Sequence, residues 1–204
     1  FIEQIMSELS KRYEYTYDIK PFSGIGGFKK SNKISEIKTK KLLNDLPSYL
    51  RGFDRKFSQY EAAIIVVLDN DTRDTCKFRD ELYERAAMAM ITIDHVFCIA
   101  IEELEAWILG DRDAILTAYP NARINFLNNY EQDSICGTWE VLADILYKGG
   151  SAKLTKNCKT YSEIGKLKCE WACNIAKYID INRNISPSFR YFVDEILKRI
   201  NPVY

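Results

Sequence analysis

The sequence predicts an α/β fold in which a mostly parallel central sheet is flanked by helices and followed by a largely helical C-terminal half. Two continuous apolar runs, residues 62–68 and 96–101, predict strands that are buried on both faces. An amphipathic stretch over residues 74–90 lies between them and predicts a helix, which gives the strand–helix–strand order of a parallel sheet. Beyond Gly110 the sequence offers helical patterns and no strand pattern.

The N-terminal elements follow from periodicity and turn chemistry. Apolar residues at helical spacing predict a helix over residues 2–9, and an alternating, tyrosine-rich stretch over residues 15–22 predicts a strand. The glycines of residues 23–27 predict a loop. Helical spacing returns over residues 34–51, where Pro47 is expected to kink or end the helix.

The C-terminal half contains four candidate helix starts. Asp111, Thr160 and Ser186 are expected to cap helices, with Pro187 at the first helical position after Ser186. Thr138 opens a further helical pattern that continues to residue 147. We therefore predict an α/β core over residues 1–110 and a helical extension over residues 111–204 that packs on this core.

Composition excludes several functional classes. The 204 residues carry 29 basic and 29 acidic side chains, so the chain is not a globally basic nucleic-acid coat, although a local basic face is compatible with this balance. The six cysteines form no CxxC pair and His95 is the only histidine, which excludes zinc-finger spacing and favours buried free thiols in a reducing cytoplasm. No apolar run is long enough to span a membrane, and no secretory leader is visible.

Acidic residues follow both predicted strands. Asp69 and Asp71 come directly after the first strand, and Glu103 and Glu105 follow the second. The carboxyl ends of neighbouring parallel strands meet at one edge of a sheet, about 5–10 Å apart, where ligands and catalytic groups gather. If strand geometry continues through Asn70, the two aspartates point the same way and can share one Mg²⁺ or Mn²⁺ ion.

A structural interpretation of these acids is also open. An aspartate after a strand commonly caps the next helix, and glutamates in a first helical turn complement the helix dipole. One cap needs one aspartate, and Asp74 is better placed for it, so the two clusters together favour a metal site. On this hypothesis Asp69, Asp71 and Glu103 bind the metal, and Glu103 or Glu105 is a further ligand or a base.

A basic stretch follows the first predicted strand. It is interrupted by Glu36 and includes Lys29, Lys30, Lys33, Lys38, Lys40 and Lys41. The stretch is typical of a track that binds the phosphates of nucleic acid beside an acidic site, and equally of a solvated helix face.

Several motifs resemble the Toprim-like superfamily, the metal-dependent domain of topoisomerases, DnaG-type primases and related nucleases. The Asp-Asn-Asp of residues 69–71 is similar to its DxD motif. The Glu-Leu-Glu-Ala-Trp block of residues 103–107, Lys-Thr-Tyr at 159–161 and Ser-Pro-Ser-Phe at 186–189 resemble a bacterial Toprim-like family of unknown function that is often encoded beside AAA or ABC-type ATPases. The resemblance covers most of residues 62–192.

The resemblance implies a magnesium-dependent phosphodiesterase or nuclease that works with a partner ATPase in bacterial defence. It implies that Asp69 and Asp71 bind the metal, and that a glutamate ends a first strand before the helix in which this sequence begins, at Phe1. We therefore expect the 1–110 core to lack its first strand here. The alternatives are a non-catalytic adaptor or regulatory module that binds a protein partner and a small-nucleotide phosphotransferase with a closed pocket.

Overall fold

A short parallel sheet lies between two layers of helices. A computed structural model of the chain describes residues 1–22, 42–134 and 137–201. Within these residues β1 (Ala63–Asp69) pairs in parallel with β2 (Asp94–Ala100), and Asp69 lies opposite Ala100. The helices are α1 (Ile2–Ser10), α2 (Leu42–Phe57), α3 (Thr75–Met88), α4 (Glu105–Leu109), α5 (Arg112–Ala118), α6 (Ile124–Asn128), α7 (Thr138–Leu146), α8 (Gly150–Asn157), α9 (Tyr161–Ala176) and α10 (Pro187–Ile200). The predicted α/β class and the parallel pairing are confirmed.

Both faces of the sheet are covered, as the continuous apolar runs predict. Alternate strand side chains, such as Val66 and Phe97, pack against α2 and α3. The opposite set, including Val96 and Cys98, packs against α1 and α10. The sheet is therefore the middle layer of three.

A second core lies among the helices that follow the sheet. It joins buried residues of α4 to α9, with Leu142, Leu154 and Trp171 among its members. Helix α10 returns from this region to the sheet, where Phe189 and Phe192 pack against Trp107 of α4. The described part of the chain after Gly110 contains helices and no strand, as predicted. The division of the chain at residue 110 stays a prediction.

The expected strand over residues 15–22 is wrong. This segment has no regular secondary structure, because its tyrosines contact α1 instead of a neighbouring strand. The hydroxyl of Tyr15 donates to the carbonyl of Met6 at 2.6 Å, and that of Tyr17 donates to Glu3 at 3.3 Å. The alternation therefore reflects contacts with a helix and not with a sheet.

Helix α2 passes through Pro47 and continues to Phe57, so Pro47 does not end the helix, and the helix extends past the predicted limit of residue 51. Its buried face, which includes Leu46 and Leu50, packs against the sheet. Packing of this apolar face offsets the hydrogen bond that a proline removes from a helix.

The predicted caps are confirmed. The side chains of Asp74, Asp111, Thr160 and Ser186 each accept a hydrogen bond from the backbone N–H three residues further on. Asp74 thus takes the cap position after β1 and leaves Asp69 and Asp71 free of that role. Local sequence chemistry is sufficient to place these helix starts.

The cysteines depart from the prediction of buried thiols. Cys98 is buried between the sheet and α10, whereas Cys76, Cys169 and Cys173 are exposed. Among the described helices, none combines the length and the apolar character needed to cross a bilayer.

Candidate functional site at the strand ends

The two acidic turns lie side by side beyond the carboxyl ends of β1 and β2. Backbone pairing continues past the strands, since the N–H of Asn70 donates to the carbonyl of Ala100 at 3.3 Å and that of Asp71 donates to Glu102 at 3.1 Å. This is the edge where parallel sheets gather ligand-binding groups. The predicted juxtaposition of the two turns is confirmed by this pairing.

Asn70 fastens the two turns to each other. It is 4% exposed, its amide nitrogen donates to the carbonyl of Arg73 and to the hydroxyl of Thr75, each at 2.8 Å, and its carbonyl oxygen accepts from the N–H of Glu102. Every polar atom of this buried amide therefore has a partner, as burial demands. Asn70 positions the acids on either side of it.

Asp71 departs from the predicted geometry. The strand ends at Asp69, and Asp71 has a left-handed backbone with φ of 50°. Its side chain is 54% exposed and accepts from Arg73 at 2.8 Å. The expectation that Asp69 and Asp71 continue along one strand face is therefore wrong, although the charge of Asp71 still contributes to raising the pKa of Asp69.

Lys168 of α9 reaches the carboxylates from the helical half of the chain. Its Nζ atom lies 3.0 Å from Glu103 and 3.2 Å from Glu105, and 5.8 Å from the centre of the Trp139 ring. Burial disfavours its charge, but Glu105 and Glu103 outweigh that effect and raise the pKa of Lys168. The ammonium group is therefore charged at neutral pH.

One ammonium group does not neutralise this cluster of acids. Burial, followed by repulsion from Glu105, raises the pKa of Asp69 to about 7, although Lys168 and the N–H of Leu104 act in the opposite direction. The same two causes, burial first, raise the pKa of Glu103 to about 7. Asp69, Glu103 and Glu105 thus form a partly buried group, here named the strand-end cluster. Its negative charge exceeds the positive charge of Lys168.

The neighbouring Glu102 has a structural role. Its carboxylate accepts from the backbone N–H groups of Gly137 and Thr138, the latter at 2.7 Å, at the start of α7. A carboxylate at this position complements the positive end of a helix. The structural interpretation of the strand-end acids therefore holds for Glu102, while Glu103 and Glu105 face Lys168.

The donor set is suited in type to a hard divalent cation. Carboxylate oxygens are the ligands that Mg²⁺ and Mn²⁺ prefer, and Mg²⁺ often takes only one or two of them together with water and substrate phosphate. Within the described ranges, no group of three or more histidine, cysteine, aspartate or glutamate side chains is arranged to hold a metal ion. The Lys168 ammonium instead binds both Glu103 and Glu105.

Two further parts of the sequence analysis concern Trp107 and the lysine-rich stretch. Trp107 is fully buried and donates from Nε1 to Ser188 at 2.8 Å, so it belongs to the core. The predicted phosphate track of Lys29, Lys30, Lys33, Lys40 and Lys41 lies outside the described residues.

Sequence reasoning missed Lys168 and Asn70. Lys168 lies in the stripe of α9 that contains the buried residues Ile164, Trp171 and Ile175, and a lysine within such a stripe is the signal that could have identified it. Asn70 was visible only as the middle residue of Asp-Asn-Asp. Its hydrogen bonds depend on tertiary contacts with the second turn.

No family model, no curated protein and no solved structure matches this chain.

Proposed function

We propose that this chain is a metal-dependent phosphodiesterase, a nuclease of Toprim-like fold, with its active site at the strand-end cluster. The observation that carries the proposal is that Glu103 and Glu105 share a single ammonium group at the carboxyl ends of two parallel strands, close enough to Asp69 for Glu105 to repel its charge. Carboxylates gathered without enough positive charge around them repel one another, and a divalent cation relieves that repulsion.

Asp69 and Glu105 would supply ligands for Mg²⁺ or Mn²⁺, with water and substrate phosphate completing the coordination. When bound, such an ion polarises the phosphodiester and makes bound water a better nucleophile. Asp71 lies nearer to solvent, at the mouth of the site, where its carboxylate is paired with Arg73.

The residues of the chain would contribute proton transfer and charge. Glu103, whose pKa in the metal-free protein is raised to about 7 by burial and by Glu105, is a carboxylate that could accept a proton from water and release it again. The Lys168 ammonium is suited to pair with a non-bridging phosphate oxygen, because phosphate and carboxylate oxygens compete for the same donor. Asn70 would hold the two turns in place while Lys168 moves from the carboxylates to the phosphate and Glu103 takes up a proton.

A non-catalytic adaptor is the second candidate. The observation that favours it is that Lys168 already pairs with Glu103 and Glu105 and that Glu102 caps α7, so several acids have partners without a metal ion. An adaptor would bind no Mn²⁺ at this site. The partner ATPase and the role in bacterial defence that the resemblance implies stay predictions.

The experiment that tests the proposal is a cleavage assay on single-stranded and duplex DNA and on RNA, with Mg²⁺, Mn²⁺ or EDTA. We expect metal-dependent cleavage that falls at least ~100-fold in Asp69→Asn and in Glu105→Gln. Glu61→Gln is the matched control, because Glu61 is exposed at the opposite end of β1. Absence of cleavage by the wild type with every substrate and metal, or wild-type cleavage by both variants, would contradict the proposal.

A further inference from the structure

A groove beside the strand-end cluster provides a surface that the proposed function does not yet use. The groove has a volume of about 450 Å³ and is lined by residues of α7, α8 and the start of α9, including Trp139, Ser151, Thr155, Tyr161 and Ile164. This volume is within the range of pockets that hold small ligands, ~300–1,000 Å³. Trp139 is shared with the cluster, since its ring lies 5.8 Å from the Lys168 ammonium.

The groove leads toward Lys168 along one face of α9. Tyr161, Ile164 and Lys168 are spaced by three and four residues, so they lie on one stripe of the helix. Lys168 follows Tyr161 by seven positions in the helix, which corresponds to roughly 10 Å along the helix axis. A ligand that contacts Tyr161 can therefore extend to the strand-end cluster.

Tyr161 is an unusually open aromatic side chain. It is 90% exposed, which is the largest fraction among the exposed large hydrophobic residues of the described chain. An aromatic ring that is open to solvent and borders a groove is a platform on which any nucleic-acid base can stack. Hydroxyl groups of Ser151 and Thr155 line the same groove.

The chain segment that supplies most of the groove lining is rich in lysine. Residues 147–168 contain six lysines and one acid, Glu163, whose carboxylate caps α9 by accepting from the N–H of Lys159. The exposed lysines of this stretch are Lys148, Lys153, Lys156, Lys159 and Lys166. The Oε2 atom of Glu140 in the groove wall is buried. A nucleic-acid backbone on the surface would therefore contact the exposed lysines before it reached this carboxylate.

We propose that the groove and its lysine rim, residues 148–166 together with Trp139, bind single-stranded nucleic acid, with a base stacked on Tyr161 and the backbone led toward Lys168. The inference rests on the proposed function, and it names the substrate as a single strand. Stacking needs unpaired bases, whereas the lysines supply the salt-dependent attraction to phosphate that any nucleic acid receives. A duplex offers the phosphates without an accessible base face.

The test is fluorescence anisotropy with a fluorescein-labelled (dT)₁₂ strand in EDTA, where cleavage by a metal-dependent enzyme is absent. We expect Tyr161→Ala to raise the Kd at least ~5-fold, since stacking on an aromatic is worth roughly 5- to 160-fold in affinity. Tyr161→Phe should bind within about twofold of the wild type, because the ring is retained. Tyr60→Ala is the matched control, since Tyr60 is 72% exposed and lies between α2 and the start of β1, whereas the strand-end cluster lies at the end of β1.

Two further measurements separate the single strand from other occupants. An unlabelled (rU)₁₂ strand should compete with (dT)₁₂, and a 12-base-pair duplex should compete at least ~10-fold less well. Combining Lys153→Ala with Lys156→Ala should reduce the slope of log Kd against log salt by about 1.4, because each single-strand phosphate contact contributes about 0.7.

Failure of this inference is distinguishable from failure of the proposed function. Wild-type affinity in Tyr161→Ala, equal competition by duplex, or no binding of (dT)₁₂ in EDTA would overturn the single-strand site even if the protein cleaves a phosphodiester. Binding that depends on Tyr161 would support the site even if no cleavage is found.

Discussion

Asp111 and the strand-end cluster both place buried acids against a basic side chain from a distant part of the chain. Asp111 is fully buried and accepts from the N–H groups of Ala114 and Asp180, at 3.1 and 2.8 Å, and from Arg183 at 2.7 and 2.9 Å. In the cluster, Glu103 and Glu105 share Lys168, and the pKa values of Asp69 and Glu103 are raised to about 7.

The difference separates an acid whose acceptor atoms are satisfied by protein donors from acids that keep unsatisfied negative charge. Asp111 fixes three segments, the start of α5, residue 180 and Arg183, with nearly all its acceptor capacity used. A buried carboxylate that is fully satisfied in this way stabilises the fold and has nothing left to offer a ligand. The cluster keeps unsatisfied charge, which costs stability and is the kind of departure expected at a functional site.

The largest expected effect on stability is at Asp111. Replacing it by alanine removes a helix cap and leaves Arg183 and two N–H groups without their acceptor, so we expect a loss of about 3–5 kcal/mol in the free energy of unfolding. Urea unfolding at pH 7 measures this loss. Asp113→Ala is the control, since Asp113 is 69% exposed and lies 3.6 Å from the same arginine, and it should change stability by less than about 0.5 kcal/mol. Equal effects of the two substitutions would contradict the view that Asp111, unlike the strand-end cluster, stabilises the fold through its hydrogen bonds.

Asp69→Asn is expected to raise the free energy of unfolding, by an amount that depends on pH. Below pH ~3 the Asp69 carboxyl is protonated in both the folded and the unfolded chain, so its burial costs little. As pH rises toward 7 the unfolded carboxyl ionises and the folded one keeps its proton, which lowers the stability of the wild type.

We therefore expect the stability difference between Asp69→Asn and the wild type to grow by about 2–4 kcal/mol in favour of the variant from pH 4 to pH 7.5. Urea unfolding in EDTA at these two pH values tests it. A difference that stays constant with pH would mean that Asp69 is as well neutralised as Asp111.

Lys168→Met is expected to have a smaller, pH-dependent effect. Removal of the ammonium leaves Glu103 and Glu105 facing each other and should lower stability at pH 8 by about 1–2 kcal/mol, because the pair is partly exposed to solvent. The loss should largely disappear at pH 5, because Glu103, whose pKa is raised to about 7, is then protonated. Lys166→Met, an exposed change on the same helix, is the control, and an equal loss at both pH values would contradict the predicted coupling.

The smallest effect is expected at Glu102. Glu102→Gln keeps the size of the side chain and removes the charge that caps α7, so unfolding should become easier by about 1 kcal/mol. Cleavage should stay within about threefold of the wild type, in contrast to Glu105→Gln. A loss of cleavage as large as that of Glu105→Gln would place Glu102 in the site and end the distinction between the two glutamates.

Local chemistry explains which features were predictable from the sequence. The two strands follow from uninterrupted apolar runs, and the caps at Asp74, Asp111 and Ser186 follow from residue type and position. Asp69, Glu103 and Glu105 could be placed near one another because parallel strands end at one edge.

Features that depend on tertiary contact escaped prediction. Tyr15 and Tyr17 alternate as in a strand, yet their hydroxyl groups bind α1. Asp71 leaves the strand direction because the chain turns to pair with Glu102, a contact with no local signature. Lys168 lies 65 residues from Glu103, so only its place in a buried helical stripe hints at a partner.

Isothermal titration of Mn²⁺ into the protein at pH 6.5, repeated in two buffers with different heats of ionisation, tests the role of the strand-end cluster most directly. Binding to carboxyl groups whose pKa lies near 7 must displace protons, so we predict one Mn²⁺ bound with release of about one proton, and loss of both signals in Asp69→Asn. No binding, or binding without proton release that survives in Asp69→Asn, would contradict a cation site at the strand ends.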